Sequence, residues 1–276
     1  MRALNPTLAS TSPRGSRARV RALALGLSLA LAQGCAATTV APREPDDRAG
    51  SGAADGPASA EPSTDGTGVG ELVSVRPGVN DRYHEDGAIE TWTDRLERER
   101  REVIAHRDAI VAALELRPGM DVADIGAGTG AFLAALSHEL GDGTLYAVDI
   151  IPQFLAHLEQ RAASDGLTNV VVVTATDTDT QLPEASVDLL FLCDVYHHFE
   201  YPSVYLRSLY RTLRPGGRMI VVEFDKVPGK TSAAMMEHVR QDKPTLLAEV
   251  TAEGFVLDHE ITDLGLDENY VLVFHK

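Results

Sequence analysis

The sequence of 276 residues has only two cysteines and is short of basic side chains. With Cys35 and Cys193 as its whole cysteine content, it has neither a disulfide framework nor a cysteine cluster for a metal. Lysine and arginine number 25 against 41 acidic residues, so the formal net charge is −16. Because an acidic surface repels phosphate backbones, we expect no nucleic acid partner.

The apolar stretch near the N-terminus, residues 22–32, is shorter than the roughly 20 residues that cross a bilayer. Arginines at positions 14, 17, 19 and 21 precede it and "AQGC" follows it, an order typical of a secretory signal peptide. The position of Cys35 resembles a bacterial lipoprotein lipobox, although Ala32 stands where that motif usually has leucine.

These features predict a signal peptide over residues 1–34, cut before Cys35, and a protein exported and anchored in a bacterial envelope through that lipidated cysteine. Because residues 1–34 hold five arginines and no acid, their removal would lower the net charge by 5, from −16 to −21. The alternatives are a signal peptide with an incidental cysteine, or a misassigned start codon and a cytoplasmic protein. Residues 35–80 have few large apolar side chains and are predicted to be a disordered linker, and residues 81–276 a globular domain.

Segments typical of helices and strands alternate through the globular part. Apolar residues at helical spacing in 97–116 precede five apolar strand segments that are separated by helices. These strand segments are 121–125, 144–150, 169–175, 186–194 and 214–224. The valine run of the third one predicts a strand buried on both faces.

Two further segments, 255–261 and 268–276, are predicted to close the chain as a hairpin-like edge. Strands that alternate with helices imply right-handed βαβ units and a parallel sheet. We therefore predict an α/β fold with a doubly wound, seven-stranded, mostly parallel sheet and an antiparallel last strand.

A glycine-rich turn, "DIGAGTGAF", begins at Asp124 after the first predicted strand. Glycine can take positive φ and lets its backbone approach a ligand closely, while the following helix presents free N–H groups. Read as Gly126-x-Gly128-x-x-Ala131, the turn fits a dinucleotide. Read from Asp124 through Gly126, Gly128 and Gly130, it fits a cofactor with an ammonium group, since a carboxylate would face a pyrophosphate badly. S-adenosylmethionine has this ammonium group, a sulfonium and no phosphate.

Other residues at strand ends extend the predicted site. Asp149 ends the second strand, where an acid can bind ribose hydroxyls in either cofactor class. Thr176 and Asp177 follow the third strand and could reach the adenine edge. Because ligands of doubly wound sheets lie beyond the carboxyl ends of the strands, we expect these residues to meet there.

The successive motifs "VADIGAGTG", "YAVDI", "LPEASVDLLFLCDVYHHF" and "LRPGGRMIVVEF" resemble those of class I S-adenosylmethionine-dependent methyltransferases. The resemblance covers roughly residues 95–276 and implies a Rossmann-like methyltransferase fold. It implies methyl transfer from S-adenosylmethionine to a small-molecule acceptor by in-line displacement. It also implies that Asp124, Gly126 and Gly128, with Gly130 in the same loop, hold the methionine part of the cofactor.

The resemblance assigns the remaining cofactor contacts as well. Asp149, with Ile150 beside it, would hold the ribose, and Asp177 or Thr176 the adenine. Many relatives have Gly-Asp-Ala after the third strand where this sequence has Ala-Thr-Asp. The residue that contacts the adenine is therefore open between Thr176 and Asp177. Asp194, after the fourth strand, either binds the cofactor or caps the turn.

Two adjacent histidines, His197 and His198, follow the fourth strand near the place expected for the transferred methyl group. Neutral imidazole can accept a proton at pH 7, so both are candidate general bases. If this stretch is extended, the two side chains diverge and only one of them faces the pocket. For the same reason we expect no metal bound by Asp194 and these histidines. Glu223 is expected either on the substrate side or in a surface ion pair.

The segment before the first long helix contains Tyr83 and Trp92, and the resemblance implies that it forms a helical lid over the pocket. Two other functions remain open. An NAD-dependent oxidoreductase is compatible with the dinucleotide reading of the turn, but a Tyr-x-x-x-Lys pair is missing after the fourth strand. A non-catalytic nucleotide-binding lipoprotein would explain an export signal on a protein whose expected cofactor is made in the cytosol.

Overall fold

A computed structural model of the chain describes residues 72–85 and 87–276. The predicted signal peptide, Cys35 and the linker as far as residue 71 lie outside the described residues. In the described part, no helix combines the length and the apolar character that a membrane crossing requires.

One mixed sheet organises the described chain. Its strands are β1 (Val122–Ile125), β2 (Leu145–Asp149), β3 (Val170–Thr174), β4 (Val187–Cys193), β5 (Leu213–Phe224), β6 (Val256–Ile261) and β7 (Asn269–His275). Their order is β3-β2-β1-β4-β5-β7-β6; β1 to β5 pair in parallel, and β7 pairs antiparallel with β5 and β6. The predicted seven-stranded, mostly parallel sheet with an antiparallel last strand is confirmed.

Helices lie before the sheet and between its strands. They are α1 (Asp81–His84), α2 (Ile89–Leu96), α3 (Glu102–Ala105), α4 (Arg107–Ala113), α5 (Leu133–Leu140), α6 (Pro152–Ser164), α7 (Pro202–Thr212), α8 (Ala233–His238) and α9 (Lys243–Ala252). Prolines open α6 and α7 because the first helical residue needs no N–H donor. Asp242 caps α9 by accepting a hydrogen bond from the N–H of Thr245 at 2.9 Å.

The sheet separates two apolar layers, because successive side chains of a strand point to opposite faces. In β4, Leu190 and Leu192 belong to the layer covered by α7 and α9, whereas Leu189 and Phe191 belong to the layer covered by α4, α5 and α6. Burial on both faces fixes β1 and β4 at the centre of the sheet. The carboxyl ends of β1, β2 and β4 therefore lie side by side at one edge.

Two predictions about individual segments are wrong. β3 is not buried on both faces, since it is an edge strand of the sheet and Val171 is 45% exposed. The helix predicted over 97–116 is broken at His106 into the short helices α3 and α4, and residues 97–101 precede both. Arg101 has an extended backbone there (φ −75°, ψ 127°).

Residues 74–80, assigned from composition to the linker, pack on the domain. The Glu200 side chain accepts hydrogen bonds from Ser74 Oγ at 2.8 Å and from the N–H of Gly78 at 3.2 Å. Asn80 Nδ2 donates to the carbonyl of His198 at 3.1 Å. The described chain thus packs on the domain from residue 74, before the boundary at residue 81 that the sequence predicted.

Candidate active site

A cavity opens at the carboxyl ends of β1, β2 and β4, the edge where the sequence predicted a ligand. Its lining combines these strand ends, the glycine turn and the N-terminal segment. The predicted site residues in this lining are Asp124, Gly126, Gly128, Asp149, Ile150, Thr176, Asp177, Asp194 and His198. Gly130 and His197 are not part of it.

The glycine turn is held tightly against its neighbours. The N–H groups of Gly126 and Ala127 both donate to the carbonyl of Val148 in β2, at 2.8 and 3.1 Å. Gly126 has φ +70°, and a Cβ there would lie 2.2 Å from Cγ2 of Val195. No side chain fits that position, so glycine is required for this close approach.

Gly130 has a different role from the predicted cofactor contact. Its N–H donates to the carbonyl of Ala127 at 2.9 Å, which closes the turn. A Cβ at Gly130 would lie 2.9 Å from Cδ2 of Leu158, so this glycine lets the turn pack on α6. Because it faces α6, Gly130 lies outside the cavity lining.

The Asp149 carboxylate joins the end of β2 to the glycine turn. One oxygen accepts the N–H of Gly128 at 2.8 Å and the other the N–H of Ile151 at 2.9 Å. Burial raises the pKa of Asp149 above its ordinary value, against the effect of these backbone donors. Asp149 thus fixes the turn while its carboxylate also lines the cavity, where ribose hydroxyls could donate to it.

Asp124 is buried in the cavity wall, and its carboxylate forms no hydrogen bond with the residues that the structure describes. Burial, together with the nearby Asp149 carboxylate, raises the pKa of Asp124 to about 7. A buried carboxylate without a partner is unfavourable unless a cation pairs with it. The position therefore fits the ammonium group expected of the cofactor.

The structure distinguishes the two candidates for the adenine contact. Thr176 Oγ1 accepts hydrogen bonds from the N–H groups of Thr178 at 3.3 Å and Asp179 at 3.0 Å, which stabilises the loop after β3. The Asp177 side chain is exposed at the cavity and has no hydrogen-bond partner among the described residues. Asp177 is thus the side chain available to an amino group of adenine.

Asp194 lies at the cavity but is already paired within the protein. Its Oδ2 accepts a hydrogen bond from Arg101 Nη2 at 2.7 Å, and its Oδ1 one from Asn269 Nδ2 at 2.6 Å. Its φ is +52°, an uncommon backbone conformation for a residue other than glycine. Asp194 therefore supports the cavity wall and positions Arg101, which lines the cavity as well.

The two histidines do not diverge as an extended chain would require. Residues Tyr196–His198 form a turn of 3-10 helix, and the ring centroids of His197 and His198 are 4.3 Å apart. His198 lines the cavity and His197 lies behind it, so only one of the two rings faces the cavity. The ring of His238 in α8 packs against both, with its centroid 4.9 Å from that of His197 and 5.2 Å from that of His198.

Glu223 is fully buried and not in a surface ion pair. Its carboxylate accepts the backbone N–H of His197 at 3.2 Å and contacts Nδ1 of the same residue at 2.9 and 3.0 Å. Burial raises the pKa of Glu223 and lowers that of His197, and nearby arginines lower the latter further. Burial also lowers the pKa of His198, so its imidazole is neutral at pH 7.

The N-terminal segment, predicted to form a lid, lies along one side of the cavity. Tyr83 lines the cavity and packs on Trp92 (ring centroids 4.7 Å apart) and on Phe154 of α6 (5.9 Å). Gln153 Nε2 donates to the carbonyl of Tyr83 at 2.5 Å, and Arg161 Nη1 pairs with Glu97 at 2.5 Å. These contacts join the segment to α6.

Sequence reasoning missed Arg101, His238 and Asn269. Arg101 stands in "ERERR", a charge run that indicates only a solvated helix face. Asn269 and His238 are remote in sequence from the motifs, and no local pattern marks them. Their roles depend on contacts between distant segments.

A glycine turn and acids at the ends of β1 and β2 define a Rossmann-like protein with a site for a nucleoside-containing cofactor. Residues 123–221, from β1 into β5, match the family described as "Methyltransferase domain". The ubiquinone/menaquinone biosynthesis C-methyltransferase UbiE of Shewanella sp. (strain W3-18-1) is 33% identical over 112 residues, which are 40% of this chain and 45% of that protein. The chain thus spans less than half the length of this curated relative.

Solved structures share the fold more widely. A SAM-dependent methyltransferase from Aquifex aeolicus superposes with a TM-score of 0.61 at 20% identity, over 69% of this chain and 99% of that one. The cyclase SpnF superposes with a TM-score of 0.51 at 20% identity, over 57% and 59% of the two chains. The chain therefore has the fold of class I S-adenosylmethionine-dependent methyltransferases, a fold that also occurs in a protein named for another reaction.

Proposed function

We propose that this protein transfers the methyl group of S-adenosylmethionine to a small-molecule acceptor. The observation that carries the proposal is the Asp124 carboxylate, buried at the glycine turn without a partner among the described residues. A dinucleotide would bring a pyrophosphate to this turn, where Asp124 would repel it. The family match over residues 123–221 supports the same cofactor.

Each part of the cofactor has a candidate partner in the cavity. Asp124 would bind the ammonium group, Asp149 the ribose hydroxyls and Asp177 the amino group of adenine. When bound, the cofactor supplies an electrophilic methyl group on its sulfonium. The protein contributes positioning, and the segment around Tyr83 excludes water from that side of the cavity.

His198 is the histidine that can contact an acceptor, because it lines the cavity and its imidazole is neutral at pH 7. If the acceptor atom carries a proton, His198 would accept it as the methyl group is transferred. His197 would act only through His198, since its Nδ1 is held by Glu223 and its ring lies behind the lining.

Labelled-methyl transfer tests the proposal. The full chain is incubated with methyl-labelled S-adenosylmethionine and a size-fractionated extract of the source cell, and we expect label in the low-mass fraction. Isothermal titration with S-adenosylhomocysteine and with NADH is run on the same preparation. Binding of NADH but not S-adenosylhomocysteine would favour the oxidoreductase alternative, and cofactor binding without transfer would favour the non-catalytic one.

The affinity for S-adenosylhomocysteine is expected to fall as the pH drops below 7. Asp124, with a pKa of about 7 in the free protein, must be ionised to pair with the ammonium group. Its protonated form predominates below pH 7, so affinity should decrease by up to about tenfold per pH unit. Isothermal titration at pH 5.5 to 8 checks this, and Asp124→Asn should bind weakly at every pH. An equal pH slope in that variant would contradict the assignment.

We further propose that the chain is exported and lipidated at Cys35, because residues 14–35 have the order of a lipoprotein signal. The cofactor would then have to reach the protein outside the cytosol. The mass of the mature N-terminus, measured after cell fractionation, tests this proposal. A lipid-modified Cys35 terminus in the membrane fraction is expected, and an unmodified Met1 in the cytosol would refute it.

A further inference from the structure

Three histidines and two arginines meet beside the cavity and form a basic cluster: Arg76, Arg82, His197, His198 and His238. The ring centroids of the histidines are 4.3, 4.9 and 5.2 Å apart. Arg82 Nη2 lies 3.1 Å from Nε2 of His238, and the Arg76 guanidinium donates to the backbone carbonyl of the same histidine. The N-terminal segment thus brings two guanidinium groups to the histidines that follow β4 and end α8.

Too little acid contacts the basic cluster to neutralise it. Two other arginines near His197, Arg101 and Arg240, are paired with Asp194 and Glu249 respectively. Arg76 and Arg82, by contrast, form no ion pair with any carboxylate that the structure describes; their contacts are to carbonyl, hydroxyl and imidazole groups. Glu223 is the carboxylate that touches the cluster, and it is already bonded to His197. The cluster therefore carries an excess of positive charge inside an acidic protein.

Two buried nitrogen atoms of the cluster, the Arg82 donor Nε and His198 Nδ1, lack partners in the described part of the chain. Because a guanidinium only donates, Nε2 of His238 must accept from Arg82, which leaves the proton of the neutral ring on Nδ1 as a further donor. Buried polar groups usually have partners, and a ligand with acceptor oxygens would satisfy Arg82 Nε, His238 Nδ1–H and the Nδ1–H tautomer of His198.

The basic cluster borders the cavity of the proposed methyl transfer. His198 lines that cavity, and so does Tyr83, whose hydroxyl accepts a hydrogen bond from Arg82 at 2.7 Å. The lining also includes the apolar ring of Phe199, the residue that follows His198. A ligand could thus present an anionic group to the cluster while an apolar body occupies the cavity.

We propose that the methyl acceptor is a small organic anion, whose anionic oxygens bind Arg82, His198 and His238. This inference rests on the proposed function and names the substrate class of the same site. Hydrogen bonds from a guanidinium to an anionic oxygen are shorter and stronger than neutral ones, and the excess positive charge favours such a ligand before any specific contact forms.

A metal ion is the other ligand that three neighbouring imidazoles suggest, since their nitrogen atoms lie within 4.8 Å of one another. Arg82 argues against it for two reasons. Its guanidinium occupies the lone pair of His238 Nε2 that a metal would need, and its positive charge repels a dication. An anion instead satisfies Arg82 and the histidines together.

Matched probes test the proposal on the full chain saturated with S-adenosylhomocysteine. Benzoate and benzamide have nearly the same shape and differ in charge. Trp92, the single tryptophan of the sequence, packs 4.7 Å from Tyr83 and reports binding through its fluorescence. We expect benzoate to bind about tenfold or more tightly than benzamide, because it forms charge-assisted hydrogen bonds. Arg82→Gln should reduce this preference to near unity.

Controls separate this proposal from the proposed function. Arg207→Gln removes a surface charge that is paired with Glu253 and should keep the preference for benzoate. The affinity for S-adenosylhomocysteine reports on the cofactor site alone. If the unmodified protein did not bind S-adenosylhomocysteine, that result would count against the proposed function. Failure of benzoate to exceed benzamide, including failure of both to bind, overturns the anion proposal. Tight Co²⁺ binding that disappears in His238→Ala also overturns it, in favour of a metal.

Discussion

Replacing Asp149 with alanine should weaken the binding of S-adenosylhomocysteine by more than about 100-fold, the equivalent of roughly 3 kcal/mol. Without the carboxylate, the complex would lose two charge-assisted hydrogen bonds from the ribose hydroxyls, each of which contributes about 1.5–3 kcal/mol. The substitution would also release the N–H groups of Gly128 and Ile151, which the carboxylate now holds at 2.8 and 2.9 Å. The effect therefore combines a lost ligand contact with a less ordered turn.

Two further variants separate these contributions. Asp149→Asn keeps one acceptor oxygen, so we expect its affinity to lie between those of the alanine variant and the unmodified protein. Asp108→Ala removes a carboxylate that is 96% exposed on α4 and should leave the affinity unchanged. Isothermal titration of the full chain, with thermal unfolding to confirm that each variant folds, measures both effects. An unchanged affinity in a folded Asp149→Ala variant would exclude the proposed cofactor site.

Gly126→Ala is expected to lower the free energy of unfolding by about 3 kcal/mol or more and to abolish cofactor binding. A left-handed backbone costs a residue with a Cβ about 1–2 kcal/mol, and crowding a packed site costs about 1–3 kcal/mol more. Both apply here, because φ is +70° and the new Cβ would lie 2.2 Å from Cγ2 of Val195. The turn would have to move away from Val195 and from the cofactor site.

Gly166 provides a matched control for the strain alone. Its φ is +69°, and a Cβ there would have no atom within 4 Å. Gly166→Ala should therefore lower the free energy of unfolding by only about 1–2 kcal/mol and keep the affinity for S-adenosylhomocysteine. Adding Val195→Ala to Gly126→Ala should recover part of the loss. Urea unfolding checks these values, and equal destabilisation by the two glycine variants would rule out the clash.

The residues proposed to hold the cofactor were largely predictable, because they lie within a few positions of strand ends. Asp124, Gly126 and Asp149 follow apolar runs, and parallel strands bring their carboxyl ends to one edge. Gly130 lies outside the cavity lining for a local reason, since spacing does not show which face of a turn packs on a helix. The 3-10 turn of Tyr196–His198 was missed because adjacent polar residues have no periodicity.

The basic cluster beside the cavity was not predictable in the same way. Arg82, His238 and Glu223 are separated by up to 156 residues in sequence and meet only through the fold. The sequence left Glu223 open between the substrate side and a surface ion pair, whereas its carboxylate is buried beside His197. Contacts of this kind depend on which loops meet at the edge of the sheet, and hydrophobic periodicity does not predict the path of a loop.

The sequence by itself determined the type of sheet, the position of the glycine turn and the acids expected at the cofactor, because each depends on short-range spacing of apolar, glycine and carboxylate residues. Only the tertiary structure decided that β3 lies at an edge, that His198 and not His197 faces the cavity, and that Arg82 and His238 join it there. These features depend on strand order and on contacts between distant segments, whose energies come from burial and charge in the folded chain.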